Sequence, residues 1–271
     1  PCHARLPRRA GCGGAGSIGR GGIRQGLGGG AGSCAPAGDR VRAGDARLAS
    51  GWKWSCRLPG ADERRAVTVE AVIELAALAP FADQTLSERE RLRLAGMSGR
   101  RRKSYLAARL ACKRVARQLS DHDTRTAPGD ITTVCPDRPD RPCCPPTDGR
   151  SSFSCSVSHD ERFAVAVAAD RRVGVDVEKA SARLLKSRSL YMSAAEQVLS
   201  RESGLGEIEA AVRIWSIKEA AAKALDITLA AAWHRVGVYD VGAFESRFQI
   251  DGQGTYTAVH DAVGQHVFTL M

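Results

Sequence analysis

RIWSIKEAAAKAL, residues Arg213 to Leu225, is built largely from strong helix formers. No Gly or Pro interrupts the chain from Glu207 to Leu229, which predicts a helix of several turns. Trp215, Glu219 and Lys223 fall four residues apart and so share one face, while Ile214, Ile217, Ala221 and Leu225 can pack elsewhere. A Glu and a Lys at this spacing also make the commonest stabilising surface pair on helices, worth only ~0.2–0.5 kcal/mol, so the helix by itself does not separate a site from a solvated face.

Some forty residues upstream, RRVGVDVEKA (Arg171 to Ala180) alternates strictly. The alternation predicts a strand with Val173, Val175 and Val177 on one face and Gly174, Asp176 and Glu178 on the other. Residues two apart on a strand are separated by roughly 6.5–7 Å, so both carboxylates can reach one hard cation from the same side. A solvated outer face would carry the same residues.

In this order and at this distance, VGVDVE followed by WSIKEAAAK resembles the paired signature of the Sfp-type 4'-phosphopantetheinyl transferases. The resemblance runs from about Ser87 to the C-terminus. It implies an α+β fold of two similar halves, each a long helix packed on a small antiparallel sheet, with residues 67–169 forming the first half and 170–271 the second. Coenzyme A would lie in the cleft between them as substrate. The implied reaction moves its 4'-phosphopantetheine arm onto a serine of an acyl or peptidyl carrier protein and releases adenosine 3',5'-bisphosphate. By the same resemblance Asp176, Glu178 and Glu219 would hold a magnesium ion, Glu219 would take the serine proton, and Lys223 would stabilise or protonate the departing bisphosphate. Lys218 is a further phosphate contact, and Trp215 a packing residue fixing the helix against the strand.

The remaining carry-over residues sit in three segments. GRRRKSYLAARLACKRVARQLS reads as a basic amphipathic helix from about Arg100 to Leu119. Its basic cluster followed by aromatic-Leu-x-x-Arg resembles the segment whose arginines bind the 3'-phosphate of coenzyme A, which points to Arg101 and Arg109, with Arg102 and Lys113 behind them. Arginine suits a dianionic phosphate because it offers several donors in a fixed fork. Ser120 to Arg150 reads as a long loop with a short strand at Ile131 to Val134. There Asp140-Arg141-Pro142 stands where the family often has Gly-Lys-Pro, making Arg141 a phosphate candidate. SFSCSVSHDERFAVAVAAD predicts a hairpin around His159 to Arg162, and Ser156-Val157-Ser158-His159 matches the family's Ser-x-Ser-His element, which implies that His159 donates to a phosphate.

Other elements follow from local signals. VTVEAVIELA, from Val67, is a strand or a short helix. Ser87 with Glu90 and Ser193 with Glu196 read as capping boxes opening two helices. By the resemblance, the second of these regions, Ser181 to Glu202, borders the carrier-protein surface. VGVYDV, SRFQI, YTAVH and HVFTLM alternate as C-terminal antiparallel strands.

The formal net charge of +10 invites a nucleic-acid reading. However, residues 1–66 hold 12 Lys and Arg against 4 Asp and Glu, so the excess sits almost wholly in front of the globular pattern. That segment carries 14 of the 28 glycines within its first fifty residues and lacks interleaved aromatics that would stack on bases. It predicts a Gly/Arg-rich disordered or linker stretch and no nucleic-acid partner. No apolar run approaches the ~20 residues of a membrane span, so no membrane partner is expected. The nine cysteines include no CxxC pair, which argues against a structural zinc site. With no export signal, they are expected as reduced thiols in a cytoplasmic protein. The expected assembly is a monomer, or the terminal domain of a larger synthase with residues 1–66 as linker.

Overall fold

The computed structural model describes residues 68–80, 82–119, 126–135, 138, 141–143 and 153–271. The expectation for residues 1–66 lies outside the described residues. The fold is α+β, with both sheets antiparallel.

The first sheet has the order β1 (Thr68–Glu74), β3 (Phe163–Ala169), β2 (Ser154–His159). The ambiguous VTVEAVIELA segment thus resolves into a strand followed by a single 3-10 turn, Leu75–Ala77. β2 and β3 form the expected hairpin, with His159 opposite Ala164. Ahead of this hairpin come α1 (Glu88–Ala95) and α2 (Gly99–Leu119). Central β3 is buried on both faces, and the two faces do different work. Ala164, Ala166 and Ala168 take the small side chains that let α2 lie close, against its Ala107, Ala108, Ala111, Cys112 and Val115. Phe163, Val165, Val167 and Ala169 face the other way, into the second sheet.

That second sheet has the order β4 (Val175–Lys179), β8 (His266–Leu270), β7 (Gln253–Val263), β6 (Glu245–Ile250), β5 (Val236–Val241). All four C-terminal segments form strands as their alternation predicts. Val173, Val175 and Val177 pack with Phe268 and Leu270 against the valines of β3. The opposite face of β4 and β8 carries the long helix α6 (Glu207–Leu225). The layers therefore run helix, sheet, sheet, helix, with an apolar core in each of the three interfaces. Between β4 and α6 lie α3 (Ala182–Lys186), α4 (Arg188–Tyr191) and α5 (Ala194–Glu202), and α7 (Leu229–Arg235) follows α6.

The uninterrupted stretch to Leu229 outlasts the helix it predicts, since it holds α6, a turn and only the first residue of α7. α6 stops at Asp226, whose φ of 60° is left-handed, and Thr228 caps α7 by accepting from the Ala231 N–H. Asp is among the few non-Gly residues that adopt this conformation readily. Ile131 to Val134 is likewise not a strand: only Val134 pairs, with Pro142, in an isolated bridge. Cysteines were expected to be reduced, but Cys155 is disulfide-bonded. No helix among the described residues is long and apolar enough to cross a membrane.

Candidate active site

The edges of the two sheets meet where β2 lies beside β4. Alternate serines of β2 make the junction: Ser156 Oγ accepts from the Val175 N–H at 3.0 Å, and Ser158 Oγ donates to Asp176 Oδ1 at 2.7 Å. Strand alternation then decides which groups of β4 meet α6. Gly174 comes so close that a Cβ there would lie 1.9 Å from the Ala220 carbonyl oxygen, so only glycine permits this approach. Two residues on, Asp176 faces the same helix and is 2% exposed, which excludes a solvated outer face.

From α6, Lys223 Nζ donates to Asp176 Oδ1, Ser158 Oγ and the Val175 carbonyl, each at 2.9 Å. Glu219, one turn earlier, stands 3.7 Å from the same ammonium. The i, i+4 pair is thus no isolated surface pair, since both residues converge on Asp176 across the sheet junction. Burial alone would raise the Asp176 pKa, but the Lys223 ammonium and the hydrogen bonds from Lys223 and Ser158 outweigh it and hold it below the ordinary carboxylate value. Glu219 moves the opposite way, pushed up to about 7 by burial and by the Asp176 charge. Glu178, at the solvent end of the strand, also rises to about 7, through burial first and then through Asp176 and Asp160.

Asp176 Oδ2 is buried and accepts no hydrogen bond. An orphaned carboxylate oxygen beside two carboxylates of raised pKa is a donor set short of positive charge, and it fits a hard divalent cation. Among the described residues no three carboxylate, His or Cys side chains already converge as a complete metal cage. An ion held here would have to take few protein ligands and fill its shell with water and substrate oxygens.

Glu219 and Lys223 line two pockets. One, of about 430 Å³, adds Arg93, Arg101, Tyr105, Arg109 and His159. Arg109 packs over the Tyr105 ring at 5.4 Å and donates to the Thr133 carbonyl at 2.6 Å. His159 stays solvent-accessible, and its pKa is lowered by lost hydration and then by the Lys223 ammonium. The other pocket, of about 330 Å³, is walled by Arg141, Pro142, Val157, Ala222, Ile227 and Leu229 among others. Arg141 pairs with Asp226, the residue that ends α6, as does Arg138. Thus Glu219 and Lys223 join two pockets, one holding Arg101, Arg109 and His159 and the other Arg141, with Asp176 buried against Lys223 and Glu178 two positions along β4 from it.

Lys218 does not join them. Its ammonium is 1% exposed and donates to Glu196 Oε2 at 2.9 Å, the Tyr191 carbonyl at 2.7 Å and the Trp233 carbonyl at 3.2 Å. One residue from Glu219 is about 100° around the helix, which turns Lys218 into the core of the second half. It is a structural cation, not a phosphate contact. The same correction applies to Lys113, buried on Glu90 at 2.8 Å, while Arg102 is half-buried and donates one N–H to the Leu94 carbonyl at 2.8 Å. Trp215 packs, but mainly against the rings of Tyr191 and Trp233, at 5.0 and 5.8 Å.

Three contributors to the cleft carried no signal that singled them out in the sequence. Ser158 was quoted only as part of a matching element, Tyr105 only as an aromatic, and Thr133 lay in an apparent loop. Residues 172–270 match the family model of the 4'-phosphopantetheinyl transferase superfamily. A comparison with curated proteins found no match.

Proposed function

We propose, from the match of residues 172–270 to the family model of the 4'-phosphopantetheinyl transferase superfamily, that the protein transfers the phosphopantetheine arm of coenzyme A to a serine of an acyl or peptidyl carrier protein. The observation that carries this reading is the convergence of Asp176, Glu219 and Lys223 at the sheet junction, with Arg101, Arg109 and His159 on the adjoining wall. Carboxylates that crave a cation beside a basic pocket suit a ligand that is a polyphosphate.

In the proposed reaction the carrier-protein serine oxygen attacks the β-phosphorus of coenzyme A. The Oγ–Pβ bond forms, the bond from Pβ to the bridging oxygen breaks, and adenosine 3',5'-bisphosphate leaves with the electron pair. Asp176, Glu219 and Glu178 would hold a divalent cation, whose charge lowers the repulsion between nucleophile and pyrophosphate. Glu219 accepts the serine proton, directly or through a water, as a general base. Lys223 faces the departing group. All three of its N–H bonds are in use, so reaching a phosphate oxygen exchanges one of them. Arg109 and Arg101 bind the 3'-phosphate and His159 donates to a phosphate, which orients the pyrophosphate for in-line attack. The α3–α5 segment supplies the carrier-protein surface, where Leu190 and Val198 are exposed.

The test is the intact mass of an apo carrier protein after incubation with this protein, coenzyme A and magnesium, with an EDTA control. A gain of one phosphopantetheine arm that disappears with EDTA is expected. A protein that binds coenzyme A yet leaves a panel of apo carrier proteins unmodified would overturn the reading.

A further inference from the structure

Arg109 reaches the pocket from a buried network of hydrogen bonds that spans α1, α2 and the segment around Thr133. Thr133 is fully buried. Its N–H and its hydroxyl both donate to Glu90 Oε1, at 2.9 and 2.6 Å. Glu90 is itself fixed, because its other oxygen accepts the Ser87 N–H at 2.9 Å and the Lys113 ammonium at 2.8 Å. Thr133 is thereby held at two points on a carboxylate that has nowhere to move. The opposite side of Thr133 faces the cleft residues: its carbonyl accepts Arg109 Nη1 at 2.6 Å, its hydroxyl accepts the same nitrogen at 3.3 Å, and the carbonyl also accepts the Cys143 N–H at 3.0 Å. Cys143 follows Arg141 and Pro142, which wall the second pocket.

We propose that Thr133 is the positioning residue of the cleft: clamped by Glu90, it fixes the guanidinium of Arg109 against an anionic group of the ligand and sets the Arg141–Pro142 segment beside it. The inference rests on the coenzyme A reading of the pocket. With Nη1 committed to Thr133 and Nε buried, the orientation of the Arg109 guanidinium is set before the ligand arrives, and the part of the fork that lines the pocket is pre-aimed. A bidentate donor loses most of its advantage when it is free to swing.

The experiment is calorimetric titration of coenzyme A and of 3'-dephospho-coenzyme A into the wild-type chain, Thr133→Val, Thr133→Ser, Arg109→Ala and the Arg109→Ala, Thr133→Val double variant. Valine keeps the shape, the N–H and the carbonyl but deletes the hydroxyl. It is expected to weaken coenzyme A by ~3–10-fold, the worth of one ordinary hydrogen bond, and to leave the 3'-dephospho ligand unchanged. Serine restores the hydroxyl and the affinity. In the Arg109→Ala background the valine adds no further loss, which a merely structural effect would not reproduce. Thr133→Ala, free of any crowding by valine, is run beside it and gives the same pattern. Unchanged coenzyme A affinity in the valine variant, equal loss for both ligands, or full additivity with Arg109→Ala overturns the positioning role. A wild-type chain that binds neither ligand overturns the coenzyme A reading itself, and the positioning role with it.

Discussion

Glu219 and Lys218 are neighbours in sequence with opposite fates, and each yields a prediction. Glu219 is held near Asp176 at a cost to the ligand-free fold, because burial and the Asp176 charge both disfavour its ionised form. Glu219→Gln removes the charge and keeps the shape. It is expected to lower transfer by ~10²-fold or more, the worth of a general base, while raising the thermal midpoint of the cation-free protein at pH 8. A lowered midpoint would contradict the view of this carboxylate as strained. Lys218→Met behaves in reverse. It strands the buried Glu196 carboxylate, which also accepts the Val238 N–H, so ~3–5 kcal/mol of stability should be lost. The KM for coenzyme A of the surviving folded protein should not change; a raised KM would return Lys218 to the phosphate site. The i, i+4 spacing made Glu219 and Lys223 legible together. The burial of Lys218 was not legible, because its partner comes from α5, where the sequence shows Glu196 only as a capping residue. Thr133 was invisible for a related reason: its bonds reach 24 residues to Arg109 and 43 to Glu90, and no local pattern encodes them.

Strand β4 shows how one alternating run sets both the packing and the chemistry. Its valines enter the core between the sheets, and its other face must come close enough to α6 for Asp176 to meet Lys223. Gly174 is the residue that allows this. In Gly174→Ala the new Cβ would sit 1.9 Å from the Ala220 carbonyl oxygen and 3.2 Å from the Ala224 Cβ, and the first of these is helix backbone that cannot yield locally. The strand and helix must separate, at a cost of ~1–3 kcal/mol or more. Transfer should fall along with stability, since Asp176 moves away from Glu219; a variant with a lowered midpoint but wild-type turnover would show that the catalytic geometry does not depend on this contact. The alternation of β4 and the hairpin of β2 and β3 were readable from sequence because period-two burial is a local property. The end of α6 at Asp226 was not, since no Gly or Pro marks it and the left-handed turn is made by an ordinary Asp. The bridge between Val134 and Pro142 was overread as a strand for the converse reason, as β-prone residues there find only one partner.

The two halves join through ionisable groups as well as valines, so the stability of the whole molecule should carry an unusual pH signature. Glu178 and Glu219 have folded pKa values raised to about 7 from an ordinary 4.5. Between those values the folded state binds protons that the unfolded chain does not, so acidification from pH 8 towards 4.5 stabilises the ligand-free protein. His260 acts against this. Buried between Ser246 and Thr269 at 2.8 and 3.0 Å, it is pushed down to about 3 from 6.5, mainly by burial, so from pH 6.5 downward the unfolded chain takes up a proton that the fold refuses. That loss amounts to about 1.4 kcal/mol per pH unit for one proton. His159, whose folded value is also lowered, adds to this loss, but the two carboxylates still outweigh the histidines down to about pH 5. Below that the gain ends, and Asp176 and Glu90, whose folded values lie under their ordinary ones, join His260 in losing stability. Urea midpoints measured from pH 4 to 8 without divalent cation should therefore peak near pH 5, and a flat profile or a peak above pH 7 would contradict the charge arrangement. Saturating magnesium should move the peak upward, because a cation at Asp176, Glu178 and Glu219 favours their ionised forms and removes the advantage of protonating them. His260→Gln should leave the rise unchanged above pH 6.5, steepen it between pH 6.5 and 5, and flatten the descent below pH 5, which assigns that part of the curve to the buried imidazole.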